Sequence, residues 1–189
     1  MRAATALLAV AVLLTSCQRA TDTNAPAKDK ATTTTTTTTA PATAQPPAKA
    51  PAPPPPLEVA AWLNSQPLTL EGLKGKVVVL DFWAIFCGPC RKLVPHLNQL
   101  HATHKAEGLV VIGVTEDRKA DVEKFAQDRK LTYPLALDTL VDSEGQTHNS
   151  YRVVAIPTVF LIGRDGNVAW TGPGERLTDE MVLAELAKK

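Results

Sequence analysis

Residues 76–90 read KVVVLDFWAIFCGPC, an apolar run that leads directly into two cysteines three positions apart. The four successive apolar residues 77–80 predict a buried strand, because no polar residue alternates with them. The pattern that follows predicts a helix over residues 90–105, which puts Cys87 at a helix N-terminus. Unpaired N–H groups and the positive end of the helix dipole favour a thiolate there. A strand that ends in Cys-x-x-Cys and opens a helix is typical of thiol–disulfide chemistry.

The remainder of the C-terminal half alternates between strand and helix patterns. Strands are expected at 57–64, 68–70, 108–115, 133–137, 159–162 and 168–170, and helices at 119–130, 143–151 and 178–188. The Asp165-Gly166 pair predicts a hairpin turn between the last two strands. This order predicts an α/β fold in which crossover helices join parallel strands and a hairpin adds an antiparallel edge. Residues 57–189 are long enough to form one domain with one ordinary core.

The N-terminus predicts export and an anchor. A short positive start is followed by the apolar run 3–14, which is too short for an ordinary membrane span and suits a signal-peptide core. The run ends in Leu-Thr-Ser-Cys, which resembles the bacterial lipoprotein signal. This resemblance implies a signal peptide over residues 1–16, cleavage before Cys17 and attachment of lipid to the Cys17 sulfur. An ordinary secretory peptide and an uncleaved anchor are the alternatives.

Residues 17–56 predict a disordered linker after the lipidated Cys17. Their composition is dominated by Thr, Ala, Pro and Lys, with eight consecutive threonines at 32–39 and four prolines at 53–56. Such a segment contains no large apolar residues to bury, so it cannot form a core. The expected role is a tether that holds the folded domain away from a membrane surface, and a plain spacer suffices for it.

Four features of the folded part together resemble a known family. They are VLDFWA at residues 79–84, the CGPC pair, Pro95 five residues after Cys90, and AIPTVFLI at residues 155–162. With these residues the chain resembles thioredoxin-fold proteins and, more narrowly, the membrane-tethered TlpA/ResA group of extracytoplasmic thiol–disulfide oxidoreductases. The fold that this implies is a central mixed sheet flanked by helices, after the disordered N-terminal linker.

Three residues are expected to carry the chemistry. Cys87 is the expected nucleophile, and Cys90 resolves the mixed disulfide, so that Cys87–Cys90 becomes the redox-active disulfide. Asp81, six residues before Cys87, matches the buried acid of ordinary thioredoxins. Burial disfavours its charge, so we expect it to exchange a proton with Cys90 near neutral pH. A partly exposed strand end without a role is the alternative for Asp81.

The resemblance also implies a surface that receives the substrate. Pro157 is expected to be a cis-proline that faces the disulfide and turns the backbone of Ile156 toward an incoming peptide strand. A trans turn proline is the alternative. Phe86 and Trp83 are expected to frame the sulfur, although Trp83 fits ordinary core packing equally well. Phe86 stands where the group usually has Trp, and Leu93 stands where its members often carry Glu.

Taken together, the sequence predicts a lipid-anchored extracytoplasmic oxidoreductase that reduces protein disulfides. The expected partners are protein thiol or disulfide substrates, a membrane protein that donates electrons, and the membrane itself through the lipid on Cys17. In a cell with two membranes, Gln18 after the cysteine implies the outer one. The formal net charge of +1 gives no electrostatic reason to expect nucleic acid. We expect no cofactor other than the Cys87–Cys90 disulfide, and no metal.

Other functions remain open at this point. A static disulfide is one alternative, and a zinc site is another, although no second Cys-x-x-Cys supplies its remaining ligands. A redoxin-type peroxidase is disfavoured because residues 80–87 lack the Pro and Thr of the peroxiredoxin pattern Pro-x-x-x-Thr-x-x-Cys. A copper metallochaperone is disfavoured because its nearest relatives use Cys-x-x-x-Cys with a distant His.

Overall fold

The computed structural model describes residues 53–189 of the chain. The predicted signal peptide (1–16), Cys17 and the predicted linker up to residue 52 lie outside the described residues. Within residues 53–189 the chain forms eight strands and four α-helices. The strands are β1 Val59–Leu63, β2 Val77–Phe82, β3 Leu109–Thr115, β4 Leu135–Asp138, β5 Leu140–Val141, β6 Glu144–Gly145, β7 Thr158–Ile162 and β8 Val168–Pro173. The helices are α1 Gly88–His104, α2 Lys119–Arg129, α3 Gln146–Ser150 and α4 Asp179–Leu186.

Six of the strands form one mixed sheet in the order β1-β4-β3-β2-β7-β8. The central strands β2, β3 and β4 are parallel, and α1 and α2 connect them. The outer pairs β1–β4, β2–β7 and β7–β8 are antiparallel. The predicted crossover connections and the predicted hairpin between the last two strands are therefore confirmed.

The alternation of side chains along β2 separates two apolar cores. Val77 and Val79 face a core that includes side chains of α1, α2 and α4. Val78 and Leu80 face a second core on the other side of the sheet. All six residues of β2 are buried, because both faces of the strand are covered. Asp81 follows Val79 by two positions, so its side chain points toward the face that carries α1.

The prediction of a strand at residues 68–70 is wrong. This segment has no regular strand and leads into a short 3-10 helix, Glu71–Leu73. The Thr69 hydroxyl accepts a hydrogen bond from the N–H of Gly72 at 3.1 Å, which closes a local turn. Leu73 is buried in the second core. The apolar residues of this segment thus cover the sheet without joining it.

The small helix expected at 143–151 is present as α3, and a two-residue hairpin, β5–β6, precedes it. The closing helix α4 begins after Thr178, whose hydroxyl accepts a hydrogen bond from the N–H of Met181 at 3.4 Å. Thr178 is therefore the N-cap, as predicted. Among residues 53–189 no helix has both the length and the apolar character needed to cross a membrane.

One side chain joins three distant parts of the domain. The Arg164 guanidinium donates hydrogen bonds to the carbonyl oxygen of Gly75 at 2.6 Å, to that of Glu107 at 3.0 Å and to that of Leu186 at 3.0 Å. These carbonyls precede β2, precede β3 and end α4. Arg164 therefore fixes the C-terminal helix against the N-terminal ends of β2 and β3, at the opposite end of the sheet from the cysteines.

Candidate active site

The two cysteines meet where the segment after β2 opens α1. Cys87 is the N-cap of the helix, and a disulfide joins it to Cys90 with the Cα atoms 5.3 Å apart. Cys87 exposes 8% of its surface and Cys90 exposes 0%. Of the two residues, Cys87 is therefore the one that a partner protein can reach.

The first turn of α1 holds the Cys87 sulfur. Sγ of Cys87 accepts a hydrogen bond from the N–H of Cys90 at 3.2 Å. Pro89 occupies an early helical position, where its missing N–H leaves no hydrogen bond unmade. The same N–H group and the helix dipole stabilise negative charge on a free Cys87 thiolate. This geometry favours Cys87 as the nucleophile of the reduced pair.

Ile156 and Pro157 face the disulfide from the loop before β7. The peptide bond between them is cis, as predicted. The carbonyl oxygen of Ile156 lies 3.8 Å from Sγ of Cys87. Pro157 is buried, and its own carbonyl accepts a hydrogen bond from the N–H of Gly174 at 3.1 Å. The backbone on both sides of the exposed sulfur is therefore held in place.

Asp81 is completely buried on the sheet face that carries α1. It lies opposite Gly113 of β3 and Val159 of β7, which offer no polar side chain. Neither carboxyl oxygen has a hydrogen-bond partner among the described residues. Burial raises the pKa of Asp81 from its ordinary value of 3.8 to about 7. The carboxyl group thus gains or loses a proton near neutral pH, as the sequence predicted.

The two predicted aromatic neighbours of the cysteines have opposite surroundings. Phe86 exposes 81% of its surface directly before Cys87. Trp83 exposes 1%, and its ring packs on Phe125 of α2 with the ring centroids 5.3 Å apart. The structure therefore gives Trp83 the core packing that the sequence left open as an alternative. Phe86 and Ile156 are the predicted contact residues that offer surface beside the sulfur.

Leu93, which stands where members of the TlpA/ResA group often carry Glu, lies in the core. It exposes 8% of its surface and packs against Gly174. An apolar side chain suits this position because Pro157 packs against the same glycine. The carboxyl group on the cysteine side of the sheet is therefore that of Asp81, on the strand, and α1 offers none in its first turn.

Asp117 supports the site although it is not among the site residues expected from the sequence. Oδ2 of Asp117 accepts hydrogen bonds from the N–H of Ile85 at 2.7 Å and from the hydroxyl of Thr115 at 2.8 Å. Asp117 thus ties the loop before Cys87 to the end of β3. The signal that points to it is its position, because functional residues gather after the carboxyl ends of parallel strands.

A second missed network fixes α3. The Asp138 carboxylate accepts hydrogen bonds from the N–H of Thr147 at 2.9 Å and from the N–H and Nδ1 of His148 at 2.9 and 2.7 Å. Burial raises the pKa of Asp138, but these hydrogen bonds outweigh it and lower the pKa overall. Glu116 lies 3.6 Å from the same Nδ1 and accepts a hydrogen bond from the N–H of Gly145 at 3.0 Å. Although such a trio can hold a metal ion, hydrogen bonds already account for its arrangement.

An open groove of about 310 Å³ runs from Ile156 toward α3. Its lining includes the polar side chains of Glu116, Glu144 and His148 and the apolar side chains of Val153 and Val154. Val154 exposes 97% of its surface. The groove therefore extends the surface beside Cys87 with both apolar and acidic side chains.

Comparison with known proteins agrees with this geometry. Residues 50–171 match the AhpC/TSA family. The thiol-disulfide oxidoreductase ResA of Bacillus thuringiensis subsp. konkukian is 34% identical over 128 residues, which cover 67% of this chain and 70% of the relative. The family match includes the cysteine pair.

Solved structures with the same fold include two thiol–disulfide proteins. A thiol:disulfide interchange protein from Bacteroides sp. has a TM-score of 0.60 and 26% identity, and the match covers 71% of this chain and 86% of that one. A thiol-disulfide isomerase from Corynebacterium glutamicum has a TM-score of 0.66 and 24% identity, and the match covers 73% of this chain and 98% of that one. At this identity the match supports the fold alone. The predicted thioredoxin-like fold is therefore confirmed. The chain belongs to the AhpC/TSA family and is a thioredoxin-fold thiol–disulfide oxidoreductase.

Proposed function

We propose that this oxidoreductase reduces protein disulfides outside the cytoplasm while a lipid on Cys17 anchors it to a membrane. The observation that carries the catalytic part is the unequal exposure of the two cysteine residues, 8% for Cys87 and 0% for Cys90. A partner disulfide can reach the first sulfur, whereas the second can react only with the first. This is the division of labour between an attacking and a resolving cysteine.

In the proposed cycle the Cys87 thiolate attacks one sulfur of a substrate disulfide. A Cys87–substrate bond forms, the substrate S–S bond breaks, and the released substrate sulfur leaves as a thiolate. The Cys90 thiol then loses its proton and attacks Sγ of Cys87. The Cys87–Cys90 disulfide forms and the second substrate thiolate leaves, so an electron pair has passed from the enzyme to the substrate.

Asp81 is proposed as the acceptor of the Cys90 proton. Both residues belong to the same face of the sheet, and neither is exposed to solvent. A carboxyl group whose pKa burial raises to about 7 can take up a proton near neutral pH and later return it. This supports a role for Asp81 in the second step, which takes place away from bulk solvent.

The substrate is proposed to be an extended segment of a protein that lies across Ile156 and Phe86. The Ile156 backbone lies beside the reactive sulfur, and Phe86 adds an exposed apolar surface. Backbone hydrogen bonds to an added strand give affinity without demanding one sequence. The groove between α3 and Val154 continues this surface and accommodates flanking residues.

Each turnover leaves the enzyme oxidised, so a reductant must restore the dithiol. Outside the cytoplasm disulfides persist, and the proposed source of electrons is therefore a membrane protein with its own dithiol. An anchor that keeps the enzyme at the same membrane raises the frequency of this encounter. The proposed anchor rests on the Leu-Thr-Ser-Cys sequence that ends at Cys17.

Reduction of insulin disulfides by the full-length chain in detergent, with dithiothreitol as electron source, tests the catalytic part. We expect Cys87→Ser to abolish activity and Cys90→Ser to accumulate a mixed disulfide with the substrate. The matched control is Cys17→Ser, which replaces the third cysteine and should reduce insulin at the parent rate. Activity that survives Cys87→Ser, or that appears only with peroxide, would overturn the proposal in favour of another activity such as that of a peroxidase.

Incorporation of radiolabelled palmitate in cells tests the anchor separately. We expect the parent chain to carry label in the membrane fraction, and Cys17→Ser to lose both the label and the membrane association. Cys87→Ser serves as the control, since it should be labelled like the parent. Label that persists in Cys17→Ser would rule out lipid attachment at this sulfur.

A further inference from the structure

Three buried polar side chains near the redox centre lack partners. Four of the five buried side-chain atoms without a hydrogen-bond partner among residues 53–189 belong to Asp81 (Oδ1 and Oδ2), Trp83 (Nε1) and Tyr133 (the hydroxyl). These residues expose 0%, 1% and 0% of their surfaces. Leaving such groups unpaired costs about 1–3 kcal/mol each, so a native protein rarely does so.

Two of these side chains approach Gly113, and the third belongs to its partner in the sheet. This glycine is the neighbour of Asp81 in the parallel β2–β3 ladder. A Cβ atom placed on Gly113 would lie 2.8 Å from Nε1 of Trp83 and 3.2 Å from a ring carbon of Tyr133. Trp83 and Tyr133 also belong to the same core as Cys90. The absence of a side chain at Gly113 is what lets both rings approach the strand beside the carboxyl group.

We propose that Tyr133 is a positioning residue for Asp81, and that its hydroxyl and the Trp83 indole N–H reach the Asp81 carboxylate through one internal water molecule. A buried water needs two to four polar partners, and this cluster supplies two donors and one carboxylate acceptor. No direct hydrogen bond joins these groups, so a bridging water satisfies what direct contact does not. This inference rests on the proposed role of Asp81 in the second step.

The chemistry of the donors fits this assignment. Burial, and then the nearby Asp81, raise the pKa of Tyr133 well above its ordinary value, so its hydroxyl keeps its proton and stays a donor. The indole N–H of Trp83 is a donor at every pH. Donors directed at a carboxylate favour its charged form and oppose the effect of burial. Tyr133 therefore keeps Asp81 able to ionise near neutral pH.

Within the described part of the chain, the other residues around Asp81 supply no charged group that could set its ionisation in place of Tyr133. From α1 the titratable group on this face is Cys90, which is disulfide-bonded in the oxidised protein. The strands on either side contribute Gly113 and Val159. His101 of α1 meets the Tyr133 ring at 6.5 Å between centroids, and burial and then Lys105 lower its pKa, which leaves it neutral at neutral pH.

The test is a direct titration of Asp81 in the oxidised, full-length protein labelled with ¹³C at aspartate carboxyl groups. The NMR signal is assigned by its loss in Asp81→Asn. We expect Tyr133→Phe, which removes only the hydroxyl, to move the Asp81 midpoint about one pH unit higher and to lower the ionised fraction at pH 7 about fivefold. Trp83→Phe should move it in the same direction.

Tyr151→Phe is the matched control. Tyr151 is also a buried tyrosine, but it lies in the core on the other side of the sheet and donates its hydroxyl hydrogen to Pro55. Its removal should leave the Asp81 midpoint unchanged. A midpoint in Tyr133→Phe that equals the parent value would overturn the inference, and so would an equal shift in Tyr151→Phe.

A second readout concerns the water itself. We expect the Trp83 indole proton to show a magnetisation transfer from a bound water molecule, and Tyr133→Phe to weaken it. An indole proton without contact to water would overturn the water-mediated link. Both readouts are independent of turnover, so they separate the two proposals. If Asp81→Asn resolves mixed disulfides at the parent rate, the catalytic role of Asp81 fails even where the titration result holds.

Discussion

Asp81 is a carboxyl group that the fold keeps entirely out of solvent, so its protonation is coupled to folding. Its pKa is about 7 in the folded chain and returns toward 3.8 on unfolding. Between these two values the folded state binds more protons than the unfolded state. The free energy of unfolding therefore falls as the pH rises through this window, by about 4 kcal/mol from this group alone.

Replacement of Asp81 by Asn removes this dependence while it keeps the shape of the side chain. We expect the oxidised Asn variant to match the parent near about pH 4 and to exceed its stability above about pH 7, by up to about 4 kcal/mol. Urea unfolding at a series of pH values measures the difference. Parallel curves for the parent and the variant would show that Asp81 ionises freely in the folded state.

Gly113 is a position where an added methyl group would press on three buried side chains. A Cβ there would lie 2.8 Å from Nε1 of Trp83, 3.1 Å from Leu135 and 3.2 Å from the Tyr133 ring. We expect Gly113→Ala to cost about 1–3 kcal/mol in the free energy of unfolding, because buried rings cannot move aside freely. Gly88→Ala is the control, since its Cβ meets no atom within 4 Å and should change stability by less than about 0.5 kcal/mol. Equal losses in urea unfolding would contradict this explanation.

Among the elements, those with a strong local signal could be predicted and those defined by a turn could not. β2 follows from its unbroken apolar run, and α4 follows from the Thr178 cap. Residues 68–70 also have an apolar alternation, yet the Thr69 hydroxyl closes a turn with Gly72 and the segment forms no strand. In this case a local side-chain hydrogen bond takes the place of the hydrogen bonds between strands. The periodicity of the sequence alone does not reveal this local bond.

The loop between β2 and α1 depends on another element, because Asp117 after β3 accepts the Ile85 N–H. We expect Asp117→Ala to lower the free energy of unfolding by about 1–3 kcal/mol and to speed hydrogen exchange at the Ile85 amide. Asp121→Ala is the control, because its exposed pair with Arg118 contributes little. An Ile85 amide that exchanges at the parent rate in Asp117→Ala would show that the loop keeps its conformation without the hydrogen bond to Asp117.

In the molecule as a whole, the site is assembled from segments that are far apart in sequence. The cysteine pair, Asp81 and Pro157 could be found because each belongs to a recognisable local pattern. Tyr133 could not, and the position of Asp117 after β3 does not reveal its bond to Ile85, since these contacts exist only once β2, β3 and β4 lie side by side. Pattern and resemblance therefore predicted the reacting groups, and the folded structure was needed to find their supports.

Arg164 joins the starts of two central strands to the end of α4, at the opposite end of the sheet from the cysteines. Its guanidinium reaches the carbonyl oxygens of Gly75, Glu107 and Leu186 at once. We expect Arg164→Lys, which keeps the charge but loses the planar fork, to cost about 1–3 kcal/mol and to increase hydrogen exchange throughout α4. Arg176→Lys, at an exposed position, is the control and should behave like the parent. Unchanged exchange in α4 would contradict a role for Arg164 in holding the helix.

The hydrogen bond from the Cys90 amide to the Cys87 sulfur is made in the disulfide form, and we expect it to persist through turnover. A sulfur atom has lone pairs as a thiolate, in a mixed disulfide and in the closed disulfide, so the amide keeps its acceptor in every form. The start of α1 is therefore not rebuilt when electrons move. A crystal grown in the oxidised form should tolerate soaking in a reductant, and successive redox states could be recorded from a single lattice.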